Sequence, residues 1–97
     1  MAMHQPPHPG EFITGTYLEP FGISGRELAE KLDVSPSTLS RILNGSSRVT
    51  PEMALRLSKA VGRSPESWLS MQDAHDLWVA RHSVNLNRVG KLKLAAA

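Results

Sequence analysis

Residues 24–45, SGRELAEKLDVSPSTLSRILNG, leave few folds open to this chain. Ser24 is a good helix N-cap, and Glu27 stands three places on, at the spacing of a capping box. Leu28, Ala29 and Leu32 then form one apolar stripe, so the spacing predicts a short amphipathic helix over about 24–32. Asp33 follows the last core residue; it tolerates the left-handed region better than most non-glycine residues, and Val34 turns back to the core. Ser35 and Pro36 are a cap and a first-turn proline, and they open a second helix over about 35–44. Leu39, Ile42 and Leu43 face inward, and Asn44-Gly45 supplies a left-handed stop. The outward face is Ser37, Thr38, Ser40, Arg41 and Asn44. These side chains are short, uncharged except for Arg41, and rich in hydrogen-bonding groups. Such a face can approach base edges closely without repelling phosphates.

The spacing sharpens this reading. In a window starting at Gly25, Leu28, Ala29, Leu32, Val34, Leu39 and Ile42 take the fourth, fifth, eighth, tenth, fifteenth and eighteenth places. All six match the pattern of a DNA-binding helix-turn-helix, in which a small residue such as Ala29 permits two helices to cross closely. Asp33 stands where that turn usually carries glycine. The alternative is an ordinary solvated helix pair, which would not need this register.

The rest of the chain frames the pair. With 97 residues it has length for one small domain. A net charge of +2 is only mildly basic, so affinity for nucleic acid must come from where the cations sit. The absence of cysteine leaves no disulfide or thiolate metal site and suits a reducing cytoplasm. No apolar run is long enough to cross a membrane and no signal-peptide pattern is present, so the expectation is a cytoplasmic protein without membrane contact. Residues 1–8 are proline-rich and read as a flexible tail. Phe12, Ile13, Tyr17 and Leu18 predict a first helix over about 9–19, ended by Pro20 and Gly22. Thr50-Pro51-Glu52 opens a helix with the stripe Met53, Ala54, Leu57, Ala60 and Val61, closed by Gly62. Ser64-Pro65-Glu66 repeats that opening and starts a last helix, about 65–81. Residues 83–97 lack caps and read as a second flexible tail. No strand pattern competes, so the expected fold is all-α: five helices in one domain over 9–82, with helices two and three as the helix-turn-helix.

With those helices placed, residues 9–81 resemble the lambda-repressor/Cro-like (Xre) helix-turn-helix family. The flanks narrow the resemblance. PGEFITGTYLEP before the motif, ILNGSSRVTPEMALRLSKAVG after it, and ESWLSMQDAHDLWVAR at the end are similar to HigA-type (VapI-like) antitoxins. The run from Trp68 to Trp78 is the most specific part. The resemblance implies a dimer that binds a palindromic operator in its own promoter. It also implies a second partner, a RelE-like toxin that cleaves mRNA on the ribosome.

Carried onto this sequence, the resemblance implies that Ser35, Pro36, Ser37, Ser40 and Arg41 face the major groove. Arg41 is the residue best suited to a base, since its guanidinium can pair in bidentate fashion with guanine; a phosphate contact or an intramolecular ion pair is the alternative. Arg26, Thr38, Asn44, Ser46, Ser47, Arg48 and Thr50 lie where phosphates are met, with Arg48 foremost; for Ser46 and Ser47, plain loop chemistry is the alternative. One such domain covers one half-site, and two must be held about 34–36 Å apart to read a palindrome. The last helix is the candidate dimer element: Trp68, Met71, His75 and Trp78 form an aromatic stripe that is either interface or core. Phe12, Tyr17 and Phe21 exceed what a small core needs, which suggests that a toxin docks on the first helix and N-terminal tail.

Catalytic chemistry finds no support. His4 and His8 lie in the proline-rich tail, and His75 and His82 have Asp73 and Asp76 nearby but no third convergent ligand, so no metal or other cofactor is expected. The two aspartates read as caps or as partners of Arg81. No nucleophile motif or phosphate-binding glycine loop is present. Against the autoregulating antitoxin stand two other readings: a stand-alone repressor without a toxin, and a protein-interaction module that has lost DNA binding. The last is disfavoured by the absence of any acid from Pro36 to Asn44.

Overall fold

A computed structural model describes residues 5–95. Its five helices are α1 over residues 9–21, α2 Gly25–Leu32, α3 Pro36–Leu43, α4 Pro51–Val61 and α5 Pro65–Ser83, with no strand among the described residues. The expected caps form. Ser24, Ser35, Thr50 and Ser64 each accept a hydrogen bond from the backbone N–H three residues on, which satisfies one otherwise orphaned donor at each start. Asp33 closes α2 with φ 58° and ψ 46°, the left-handed geometry its position demands. The stop after α3 differs in detail: Asn44 stays at φ −92°, and Gly45 alone takes a positive φ, 85°.

Helix α1 runs further than its proline suggests. It is α-helical over Pro9–Ile13, widens to a π-helical turn over Thr14–Leu18, and closes with Glu19–Phe21. Pro20 has no N–H and its ring would crowd the carbonyl four residues back. The wide turn, in which the Glu19 N–H reaches Thr14 O, absorbs that conflict, and Gly22 at φ 63° ends the helix.

The core gathers Ile13 and Leu18 from α1, Leu28, Ala29 and Leu32 from α2, Leu39 and Ile42 from α3, Met53, Ala54 and Leu57 from α4, and Trp68 from α5. Val49, in the loop between α3 and α4, is fully buried as well. Helix α3 rests on α2 and α1, while α4 joins α2 to α5. Two expectations change here. Trp68 is wholly buried, its indole N–H donates to Gly62 O at 3.0 Å, and it therefore belongs to the core rather than to a dimer interface. Phe12 and Tyr17 are likewise used internally. Phe12 meets Trp68 edge-on at 5.9 Å and Tyr17 at 6.1 Å, and the Arg63 guanidinium lies 5.0 Å from its ring centre. Only Phe21 of that trio is exposed.

The two tails behave differently from one another. Residues 5–8 have no helix, yet they lie against α5: Pro6 O accepts a hydrogen bond from His75 Nδ1 at 2.9 Å, and the His8 and His75 rings meet edge-on at 5.2 Å. His8 is also the N-cap of α1, accepting from the Gly10 N–H at 2.9 Å. Residues 84–95 are exposed throughout. The outermost tail residues, 1–4 with His4 and 96–97, lie outside the described residues.

Candidate nucleic-acid interface

The position of α3 is set at backbone level. A Cβ on Gly10 would stand 2.0 Å from Ile42 O and 2.8 Å from Leu43 Cα, so α1 crosses the last turn of α3 with no room for a side chain. At the other end, Arg56 of α4 donates to Leu32 O at 2.8 Å and Asp33 O at 3.2 Å, and pairs with Glu52 at 3.0 Å. Arg56 thus satisfies carbonyls at the C-terminus of α2 and holds the turn between the two helices.

With Leu39 and Ile42 turned inward, α3 presents Pro36, Ser37, Ser40 and Arg41 to solvent, followed by Asn44. Ser35 Oγ accepts from the Thr38 N–H at 3.1 Å and donates to Thr38 Oγ1 at 2.8 Å, so Ser35 and half-buried Thr38 serve first as the cap of α3. Arg41 and Arg26 are exposed and have neither an ion pair nor a side-chain hydrogen bond among the described residues. The face therefore carries an unpaired cation beside hydroxyls, and no carboxylate.

The loop after α3 is closed on itself. The Ser46 and Ser47 N–H groups both donate to Arg41 O, at 2.9 and 3.0 Å, and Asn44 Oδ1 accepts from the Ser46 N–H at 3.0 Å and from its hydroxyl. Arg48 is not the free cation that its loop position suggests. Its guanidinium donates from Nε and Nη2 to Asp76 Oδ2, at 3.3 and 2.9 Å, and from Nη2 to Asp73 Oδ1 at 3.3 Å. Asp73 and Asp76 thus pair with Arg48 rather than with Arg81. Hydrogen bonding to Asp76 raises the pKa of Arg48 above its ordinary value. Burial works against the ionised form of Asp76, but the bonds from Arg48 and Gln72 outweigh it and hold the carboxyl below its usual value.

The sequence reading passed over Gln72 and gave His8 no role beyond the proline-rich tail. Gln72 is almost wholly buried; its Oε1 accepts from the Val49 N–H at 2.7 Å and its Nε2 donates to Asp76 Oδ1 at 3.0 Å. It sits four residues after Trp68 and four before Asp76, so it was visible as a polar residue on the inward stripe of α5. His8 shares an open cleft with Gly45, Ser47, Gln72, His75 and Asp76. Burial and the neighbouring His75 lower its pKa, against the opposing influence of the Ser47 backbone, Asp76 and Glu11. No group of three or more His, Asp or Glu side chains among the described residues could hold a metal ion.

A helix-turn-helix family model matches residues 16–68. The HTH-type transcriptional regulator YddM of Escherichia coli K12 is 40% identical over 92 residues, spanning 95% of this chain and 97% of its own length. Antitoxin HigA-1 of Vibrio cholerae is 41% identical over 73 residues, 75% of this chain and 69% of its own. The chain belongs to the HigA-type branch of the helix-turn-helix family. Among solved structures, the Pseudomonas aeruginosa antitoxin HigA with the higBA promoter superposes with a TM-score of 0.76 at 32% identity, over 80% of this chain and 85% of that one.

Of the four α5 residues assigned by sequence to a dimer surface, Trp68 faces the core, Met71 packs against it, and His75 is occupied by Pro6 and His8. Trp78 alone stands past the core, stacked on His82 with ring centres 3.9 Å apart. The stripe turns from core to surface because α5 has 19 residues, a length of about 28 Å, and outruns the four helices beneath it.

Proposed function

We propose that this chain is an antitoxin that binds an operator in its own promoter as a homodimer, represses that operon and neutralises a RelE-like, mRNA-cleaving toxin in the cytoplasm. The observation that carries the DNA half is the outer face of α3, where Arg41 stands unpaired among Ser37, Ser40 and Asn44 with no carboxylate on the helix. A cation without an internal partner, on a helix narrow enough for the major groove, can pair with guanine at little cost in broken contacts. Ser37 and Ser40 add weaker readout. Arg26, Asn44, Ser46, Ser47, Arg48 and Thr50 serve phosphates. The solved HigA with its promoter supports the reading, since it shares this fold at 32% identity.

The dimer surface we assign lies in the outer half of α5, at Leu77, Trp78 and Val79. Leu77 and Val79 are 51% and 43% exposed, and the half-buried Trp78 ring lies between them. The toxin half rests on likeness to HigA-1, whose name is that of an antitoxin. A stand-alone repressor is the second reading, favoured by the close and nearly full-length likeness to YddM, which is named as a regulator.

The deciding experiment is a titration of a duplex from the promoter of its own gene. Arg41→Ala should weaken binding by about fivefold to 150-fold, the range of one lost base contact of about 1–3 kcal/mol, and relax preference at one base pair. Unchanged binding removes Arg41 from the mechanism. A small basic protein from an adjacent reading frame that co-purifies with this chain supports the antitoxin; failure to co-purify favours the repressor.

A further inference from the structure

Gln72 is the one polar side chain buried among the described residues. A small core has no thermodynamic need for an amide where Met or Leu would fill the same space, and a buried amide is tolerated only when its donors and acceptors are met. Here the chemistry leaves one arrangement. The Val49 N–H can only donate, so the amide oxygen must face it; the Asp76 carboxylate can only accept, so the amide nitrogen must face that. Asp76 in turn uses its other oxygen for Arg48. The chain of bonds therefore runs from the core of α5 to Val49, where the loop enters the core, and through Asp76 to Arg48, the residue before it. The far side of the same loop hangs on Arg41 O through the Ser46 and Ser47 N–H groups. Residues 46–49 are thus stretched between the last turn of α3 and the third turn of α5.

From this network we infer that Gln72 and Asp76 are positioning residues for DNA: they hold the loop after α3, and the guanidinium of Arg48, in the pose that meets a phosphate. The inference rests on the DNA-binding reading above. The aspartates occupy Nε and Nη2 of Arg48, and Nη1 has no partner among the described residues. A guanidinium held by two of its nitrogens offers the third without the entropy loss of ordering a free arginine. The network is anchored at its buried end by Gln72 and reaches the surface at Asp76 and Arg48, so its worth lies in the geometry it specifies more than in stability.

The test is a set of anisotropy titrations on the full chain with a labelled duplex from its own promoter and with a scrambled duplex, over a range of salt. Asp76→Ala should raise Kd about tenfold on both duplexes and reduce the slope of log K against log salt by about one, as losing one phosphate contact does. Arg48→Ala should do the same, and the double variant should be no weaker than either single one, because Asp76 acts through Arg48. Gln72→Glu keeps the acceptor for Val49 but sets a carboxylate against Asp76, and should also weaken both complexes. Helix content by circular dichroism checks the fold. Should Gln72→Glu not fold, the half-exposed Asp76 and Arg48 still decide the matter. Binding by Asp76→Ala that equals or exceeds that of the unaltered chain overturns the inference, since the aspartates would then only mask Arg48. Additive losses overturn it too. An unaltered chain that fails to bind either duplex overturns the DNA reading instead, and this inference with it.

Discussion

Gly10 is where a single atom decides the placement of the DNA-facing helix. Its missing Cβ lets α1 touch the carbonyl of Ile42, and that contact fixes the tilt of α3 against the rest of the core. Gly10→Ala should cost about 3 kcal/mol, the upper part of the range for overpacking, because the atom it would strike is backbone and cannot turn aside. Chemical denaturation gives this directly, and a loss under about 0.5 kcal/mol, the size of an ordinary surface substitution, would show that the crossing is looser than its geometry. Nothing in the sequence around PGEFITG marks Gly10 as a crossing point, since a glycine in a first turn reads equally well as simple helix tolerance. Arg48 teaches the same lesson with charge. By chain position it is a loop cation beside DNA; only the approach of α5 shows that two aspartates, 25 and 28 residues later, hold it.

At the scale of elements, caps and stripes were legible and long-range restraints were not. The four Ser/Thr caps, the Asp33 turn and the inward stripes of α2 and α3 follow from residue spacing because each bond spans three or four residues. The docking of residues 5–8 on α5 does not, since it joins Pro6 to His75 across the whole chain. That segment carries a pH dependence. The His8 pKa is lowered, chiefly by burial and then by His75, while Asp76, Glu11 and the Ser47 backbone favour the charged ring and the Arg48 cation stands beside them. A depressed folded pKa means that the unfolded chain binds the proton more readily. The contribution of His8 is therefore complete above its unfolded value of about 6.5 and is lost as pH falls through the folded value. Protonation at Nδ1 also removes the acceptor that caps α1. Melting temperature should drop on acidification through this range, and His8→Asn, a cap that does not titrate, should reduce the drop. An identical drop in the variant would show that His8 does not carry it.

The whole molecule is less compact than its length allows. A compact chain of about 100 residues has a radius of gyration near 13 Å. This one has 17.1 Å, with extents of 56 × 32 × 25 Å. Helix α5 continues past the core, and in residues 84–95 Val84, Leu86, Val89, Leu92 and Leu94 are all more than half exposed. In the homodimer proposed above, this apolar surface is where a second copy would sit, and its position would set the separation of the two α3 helices. Leu77→Asp, at a position 51% exposed and so tolerant of charge within one copy, should halve the mass seen by analytical ultracentrifugation while leaving helix content intact. A dimer that survives the substitution moves the interface elsewhere.

By itself the sequence determined what is local in this protein: five helices, their caps, the helix-turn-helix register and the uncharged face around Arg41. Each depends on residues within one or two turns of each other, where spacing and side-chain chemistry leave little choice. Only the tertiary structure decided which side of α5 is core, where Arg48 spends its charge, that residues 5–8 are tied down, and that Gly10 and Gln72 set the frame of the α3 loop. Those outcomes rest on contacts between residues tens of places apart, and no periodicity along the chain encodes which distant groups will meet.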